Sequence, residues 1–341
     1  MTERENLMRV INGKEPAWVP RKGALQYGYD PENHKVSYMQ AAPVIFPVKY
    51  GPSGGRMDVF GVEFEAADGT GGMELPLPNK FILDDITKWR DVIKAPSLDG
   101  IDWETVAKKS IAHIDRRETA VGMPTHIGYF QHVINFMGFT NGLIALIQEP
   151  EEVMALCEYL ADYYEIIARN LVTHIRPDIF CITDDTATAL NPFFSREIYQ
   201  KLFKPYHARL GKIACDLDLP IDMHNCGRCE DFIDDWREFG VVCWNPAQVI
   251  NDLAGIKKKY GNSLVLNGCW DSTGPAGWLG SDEELVRQAV RDCIDAYAPG
   301  GGFCFWASFY GRDDDEQAKA HALWITDEYN KYGRTFYKRQ G

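Results

Sequence analysis

The stretch PIDMHNCGRC, residues 220–229, sets His224 two residues before Cys226 and five before Cys229, at the end of an apolar run of strand length. Residues two apart on a strand project to the same face, so this imidazole and this thiol converge. A further thiolate from another strand would complete a His-Cys-Cys set, a normal donor group for zinc that leaves a fourth position open to substrate. Cys304, in GGFCFWASF, and Cys269, in SLVLNGCW, are the candidates for that third ligand. The Cys226-Gly-Arg-Cys229 spacing also has the form of a redox pair. Such a pair opens a helix in a small thioredoxin-like unit that this chain lacks, so Cys229 is expected on the following helix.

Other polar residues stand at the ends of similar apolar runs. DIFCITDD ends in Asp184 and Asp185, which point to opposite sides of an extended chain, so one can face a site while the other caps a turn. PTHIGYFQH carries His126 and His132, LVLNGCWD carries Asn267 and Asp271, and GGFCFWAS carries Ser308. Phe130, Phe193 and Trp306 lie nearby and could wall a substrate.

What must position these residues is a repeated strand-helix unit. From about residue 119, strand-length apolar runs alternate with longer stretches of helical period, as in MPTHIGYF followed by PEEVMALCEYLADYYEIIARNLVTHI. That alternation predicts a parallel sheet whose strands are buried on both faces. Six strands are legible there and VPRKGALQYG near residue 20 is a seventh. An eighth, expected within 43–118, would close an α/β TIM (β/α)8 barrel, whose active site lies at the C-terminal ends of the strands. An open doubly wound sheet is the alternative, but neither a G-x-G-x-x-G turn nor a P-loop is present. Residues 1–341 read as one domain, with the Pro- and Gly-rich segment 41–78 an excursion near the barrel mouth.

Composition narrows the function. Of 341 residues, 45% are hydrophobic and 25% charged, the balance of a globular protein. The formal charge of −13 comes without a basic stripe, which speaks against nucleic acid as a partner. Apolar runs stop short of the roughly 18 residues of a membrane span. MTERENLMRV lacks the apolar core of a secretory signal, and nine cysteines in an odd, scattered set suit a reducing compartment, so a cytoplasmic location is expected.

Taken in order, RENLMRVINGKEPAWVP, DVFGVEFE, DITKWRDVIKAP, DIFCITDD, FFSREIYQKLFKPYHARL, PIDMHNCG, LNGCWDS and APGGGFCF resemble the uroporphyrinogen decarboxylase superfamily along nearly the whole chain. That superfamily is a set of TIM barrels that includes zinc-dependent, corrinoid-linked methyltransferases. The decarboxylase branch uses an arginine-bearing signature of the RQAGRY kind where this chain reads PRKGALQYGYDP, with only Arg21 and Lys22. The methyltransferase branch is the nearer likeness. It implies zinc on His224, Cys226 and Cys304, with Cys269 the alternative because Cys304 lies two residues beyond the glycine run. It implies a methyl group passing between a small substrate, with a methoxylated aromatic preferred as in O-demethylase systems, and the cobalt of a corrinoid (cobalamin) carried by a partner protein. Asp184 would orient a ligand or shuttle a proton, with His126 the other catalytic candidate, and a homodimer is compatible with the likeness. The alternatives are decarboxylation of a tetrapyrrole carboxylate and a non-catalytic barrel that binds a corrinoid.

Overall fold

The computed structural model describes residues 1–23, 35–66, 74–125, 127–309, 311 and 315–340. Seven parallel strands follow one another around a curled sheet in chain order: β1 (Tyr38–Gln40), β2 (Ala120–Pro124), β3 (Ile179–Thr183), β4 (Ile221–His224), β5 (Val241–Ala247), β6 (Val265–Cys269) and β7 (Phe303–Trp306). Arg21 and Lys22 close the ring. Arg21 bridges Phe305 of β7 and Lys22 bridges Tyr38 of β1, both in parallel, with the Lys22 amide donating to Phe305 O and the Gly23 amide to Tyr38 O. The fold is therefore of the TIM-barrel type, with a two-residue stave at residues 21–22 sealing it. Five of the six later strands fall on apolar runs, whereas β2 shares only Met123 and Pro124 with MPTHIGYF, whose Tyr129 and Phe130 already open the helix Tyr129–Met137. The closing stave lies in VPRKGALQYG. The remaining strand does not come from 43–118. It is β1, three residues long, directly upstream of that segment.

The helix Pro150–Ile175 shows why the surrounding layer forms. Proline opens it, Glu151 and Glu152 occupy its positive end, and Val153, Leu156, Cys157, Leu160, Tyr164, Ile167 and Leu171 give one buried stripe at helical spacing. It stops at Arg176, in the left-handed region, just before Pro177.

The floor of the barrel is apolar. Leu7 and Val10 of the N-terminal helix Glu3–Ile11 pack with Tyr38, Ala120, Ile179, Cys181, Cys243, Val265 and Cys304. Segment 41–78 carries short antiparallel strands, Lys49–Tyr50, Arg56–Met57, Glu63–Ala66 and Glu74–Pro76, which share a cleft with residues at the ends of β2 and β3. Among the described residues, no single helix is long and apolar enough to cross a membrane.

Candidate metal centre

His224 is the last residue of β4, and the chain then turns so that Cys226 lies beside it, with Sγ 3.7 Å from His224 Nε2. Asp185, just beyond the end of β3, supplies the third group, with Oδ1 3.8 Å from the same Nε2. Ligand-capable atoms of Asp185, His224 and Cys226 all lie within 4.8 Å of one another, and among the described residues no other His, Cys, Asp or Glu group is gathered this way. Tetrahedral zinc with bonds near 2.0–2.3 Å sets its ligand atoms about 3.5 Å apart, so the trio has close to the required span.

The surrounding hydrogen bonds set the chemistry of each ligand. Asn245 Oδ1 lies 2.8 Å from Lys22 Nζ and 2.9 Å from His224 Nδ1. An ammonium only donates, so the atom facing it must be the amide oxygen, and that oxygen in turn requires Nδ1 of His224 to carry the proton. Nε2 is then left unprotonated, as an acceptor directed toward Cys226 and Asp185. Asp185 is oriented as well, since its Oδ1 accepts the Cys226 amide at 2.8 Å and its Oδ2 the Gln131 side-chain amide at 3.2 Å. Such outer contacts hold ligands at a metal. Burial, and after it the Asp185 carboxylate, push the Cys226 thiol far above its ordinary value, with Lys22 opposing weakly. A dication is what would make this sulfur a thiolate. The site therefore fits zinc through Asp185, His224 and Cys226.

The other expected site residues are placed differently. Cys304 does not reach the trio. It is the second residue of β7 and sits in the barrel floor, whereas Trp306, two residues on, reaches the mouth and lies under Lys22 Nζ at 4.3 Å from its ring. Cys269 is also buried away from the trio, with its carbonyl accepting the Cys293 thiol at 3.3 Å. Asp184 takes no part in the cluster. It is fully buried behind β3, where its carboxylate accepts the amides of Phe130 and Gln131 and meets His207 Nε2 at 3.2 Å. Phe130 and Phe193 belong to an aromatic cluster with Phe194 and Phe203 in the helical layer, at centroid distances of 4.9–5.8 Å from Phe130. His126 lies outside the described residues. Cys229 is buried, with its thiol on Asn225 O at 3.5 Å, and no disulfide joins it to Cys226. Lys22 faces the interior while Arg21 turns outward, donating to Thr326 Oγ1 and lying over the Tyr329 ring.

Asn245 and Gln131 were not singled out from the sequence as parts of this site, and of the pair at the end of DIFCITDD the role expected of Asp184 falls to Asp185 by position. A signal for Asp185 did exist: it continues the alternation of Cys181 and Thr183, which face the barrel interior. It was hidden because residues 179–182 are buried on both faces.

A protein-family model described as Uroporphyrinogen decarboxylase (URO-D) matches residues 125–308, more than half of the chain. Among solved structures, a methyltransferase from Methanosarcina mazei superimposes with a TM-score of 0.66 at 14% identity, covering 97% of this chain and 99% of that one. A search of curated proteins finds no match.

Proposed function

The chain belongs to the uroporphyrinogen decarboxylase family, and on that premise we propose that it is a zinc-dependent methyltransferase. It moves a methyl group between a small substrate, with a methoxylated aromatic as the preferred donor, and the cobalt of a corrinoid held by a partner protein. The observation that carries this reading is the Asp185-His224-Cys226 trio at the mouth, with Nε2 of His224 unprotonated. The full-length structural likeness to a methyltransferase supports it.

Zinc held there supplies Lewis acidity toward the heteroatom that bears the methyl group. The protein's part is positional. Asp185, His224 and Cys226 would hold the ion, Asn245 fixes the imidazole, and Gln131 with the Cys226 amide fixes the carboxylate. The partner must reach the mouth, and apolar side chains stand exposed in segments that follow the strands: Tyr50 is 70% exposed, Leu190 73% and Trp278 59%. Decarboxylation of a tetrapyrrole is the weaker reading, because that anionic substrate calls for converging cations and Arg21 is turned away to Thr326.

Elemental analysis of the purified protein tests the reading. About one zinc per chain is expected, lost in His224→Ala and Asp185→Ala but kept in Cys304→Ala. A zinc-loaded protein should then transfer methyl from 2-methoxyphenol to free cob(I)alamin, followed by its absorbance. A zinc-free wild type would sink the reading, and so would zinc lost only in Cys304→Ala.

A further inference from the structure

A cleft of about 570 Å³ lies between segment 41–78 and the ends of β2 and β3. That volume is in the range of small-molecule sites. It borders the metal centre, because Gln131 lines it and donates to Asp185 Oδ2, and Thr183, also on its wall, pairs in register with His224. Its walls are mainly apolar, with Ile45, Phe46, Phe60, Phe64, Ile127 and Ile167 among them.

The few polar groups on the wall define what could enter. Asp58 Oδ1 accepts the amides of Phe60 and Val62 at 2.9 and 2.8 Å, while its Oδ2 has no hydrogen-bond partner among the described residues. His132 Nδ1 lies 2.8 Å from Gly128 O and must donate to it, and Nε2 pairs with the Tyr164 hydroxyl at 3.2 Å. Both ring nitrogens are thereby satisfied, and burial favours the neutral ring. Arg56 is the one lysine or arginine among the described residues on the wall, and it is paired with Glu74 and laid over Phe64.

We propose that this cleft is the chamber for the methyl donor and that it selects a neutral, ring-sized molecule bearing a hydroxyl group, whose O–H donates to Asp58 Oδ2. The assignment rests on the methyl-transfer reading above and adds the residue that reads the substrate. An anionic head would face the Asp58 carboxyl. A quaternary cation would bring charge but no donor for Asp58 Oδ2, with Arg56 already offset by Glu74. A wholly apolar ligand would strip water from Asp58 Oδ2 without replacing its hydrogen bond, which is costly. A hydroxyl on a neutral ring avoids the repulsion and supplies the hydrogen bond that the other two lack.

The test is calorimetric binding to protein freed of zinc by chelation, so that neither metal nor corrinoid enters the readout. The probes are 2-methoxyphenol, 1,2-dimethoxybenzene, which lacks the hydroxyl, and tetramethylammonium as a cation. Wild type should bind 2-methoxyphenol at least about tenfold more tightly than either of the others, a difference of one hydrogen bond to a charged group. Asp58→Asn keeps an oxygen for the two amides and should abolish that preference, and Val59→Trp, filling the cleft from its exposed rim, should weaken both aromatic probes. Equal binding of the three probes, tightest binding of the cation, an unchanged preference in Asp58→Asn or undiminished binding in Val59→Trp would each overturn the assignment. Binding with the expected preference but no methyl transfer in zinc-loaded protein would leave the chamber standing and remove the reaction.

Discussion

Asp184 and Asp185 leave β3 in opposite directions. Asp185 Oδ1 accepts the Cys226 amide at 2.8 Å beside His224, whereas Asp184 is sealed behind the strand against the amides of Phe130 and Gln131 and the ring of His207. Neighbours in sequence therefore face different surroundings, the candidate metal trio on the inside and the helix-bearing layer on the outside.

This separation predicts opposite phenotypes. Asp185→Ala should lose zinc and change the unfolding midpoint little, since the side chain is partly exposed. Asp184→Ala should keep its zinc stoichiometry but lose about 3 kcal/mol of stability or more, because it leaves buried donors without their acceptor. Zinc analysis and urea unfolding of the two variants decide it. Loss of zinc in Asp184→Ala with normal folding would return that residue to the site.

Gly122 of β2 lies beside the Tyr38 side chain of the neighbouring strand β1. A Cβ there would overlap the Tyr38 ring and hydroxyl. The ring cannot withdraw freely, because its hydroxyl is hydrogen-bonded to Asp222 Oδ2 at 2.9 Å and touches Cys181 Sγ. Gly122→Ala should therefore destabilise by about 1–3 kcal/mol, the cost of overpacking a well-filled core, and the double variant Gly122→Ala with Tyr38→Leu should recover part of the loss. Urea unfolding midpoints report both.

The barrel was legible because parallel strands and their covering helices differ in period and length, which is why five runs coincide with β3 to β7, while the run read for β2 starts three residues late and extends into a helix. β1 was not, because VSYMQAAP offers three strand residues with no helix directly after them, only segment 41–78. At the site, the convergence of His224 and Cys226 was readable from spacing alone. The distance of Cys304 from them was not, because alternation along a strand reports the face of a side chain and not its depth. At about 3.3 Å per residue, the two positions from Cys304 to Trp306 are about 7 Å, the difference between floor and mouth. Asn245 and Lys22 come from opposite parts of the chain, and only closure of the barrel brings them together.

His132 gives a pH signature to the cleft. Burial lowers its pKa below the ordinary value, with the Gly128 carbonyl and the charges of Asp58 and Asp184 opposing. The unfolded chain then takes up the proton first as pH falls below about 6.5, so the stability this neutral imidazole contributes is present above that pH and lost beneath it. Asp58, whose pKa burial raises, works in the other sense, favouring the folded state as it protonates. Between pH 7.5 and 5.5 the histidine contribution is up to about 1.4 kcal/mol. His132→Gln should flatten the fall in stability over that window, measured by urea unfolding at the two pH values. A fall as steep in the variant as in wild type would assign the sensitivity elsewhere.

Asn245 should govern the metal affinity of His224 without touching the metal. Its Oδ1 is shared by Lys22 Nζ and His224 Nδ1, and that double demand is what forces the proton onto Nδ1 and leaves Nε2 free to bind. Asn245→Asp keeps an acceptor for both partners, whereas Asn245→Leu removes it and frees the ring to turn or to exchange tautomer. Zinc affinity should fall about 10–100-fold in the leucine variant, as for other contacts that orient a metal-binding histidine, and stay near wild type in the aspartate variant. Imidazole ¹⁵N shifts of zinc-free protein give a readout independent of both metal and activity: His224 should show an unprotonated Nε2 in wild type and Asn245→Asp, and a mixture of tautomers in Asn245→Leu. The same wild-type tautomer in all three, with zinc affinity unchanged, would mean that the strand geometry alone holds the imidazole and that Lys22 and Asn245 form a structural pair.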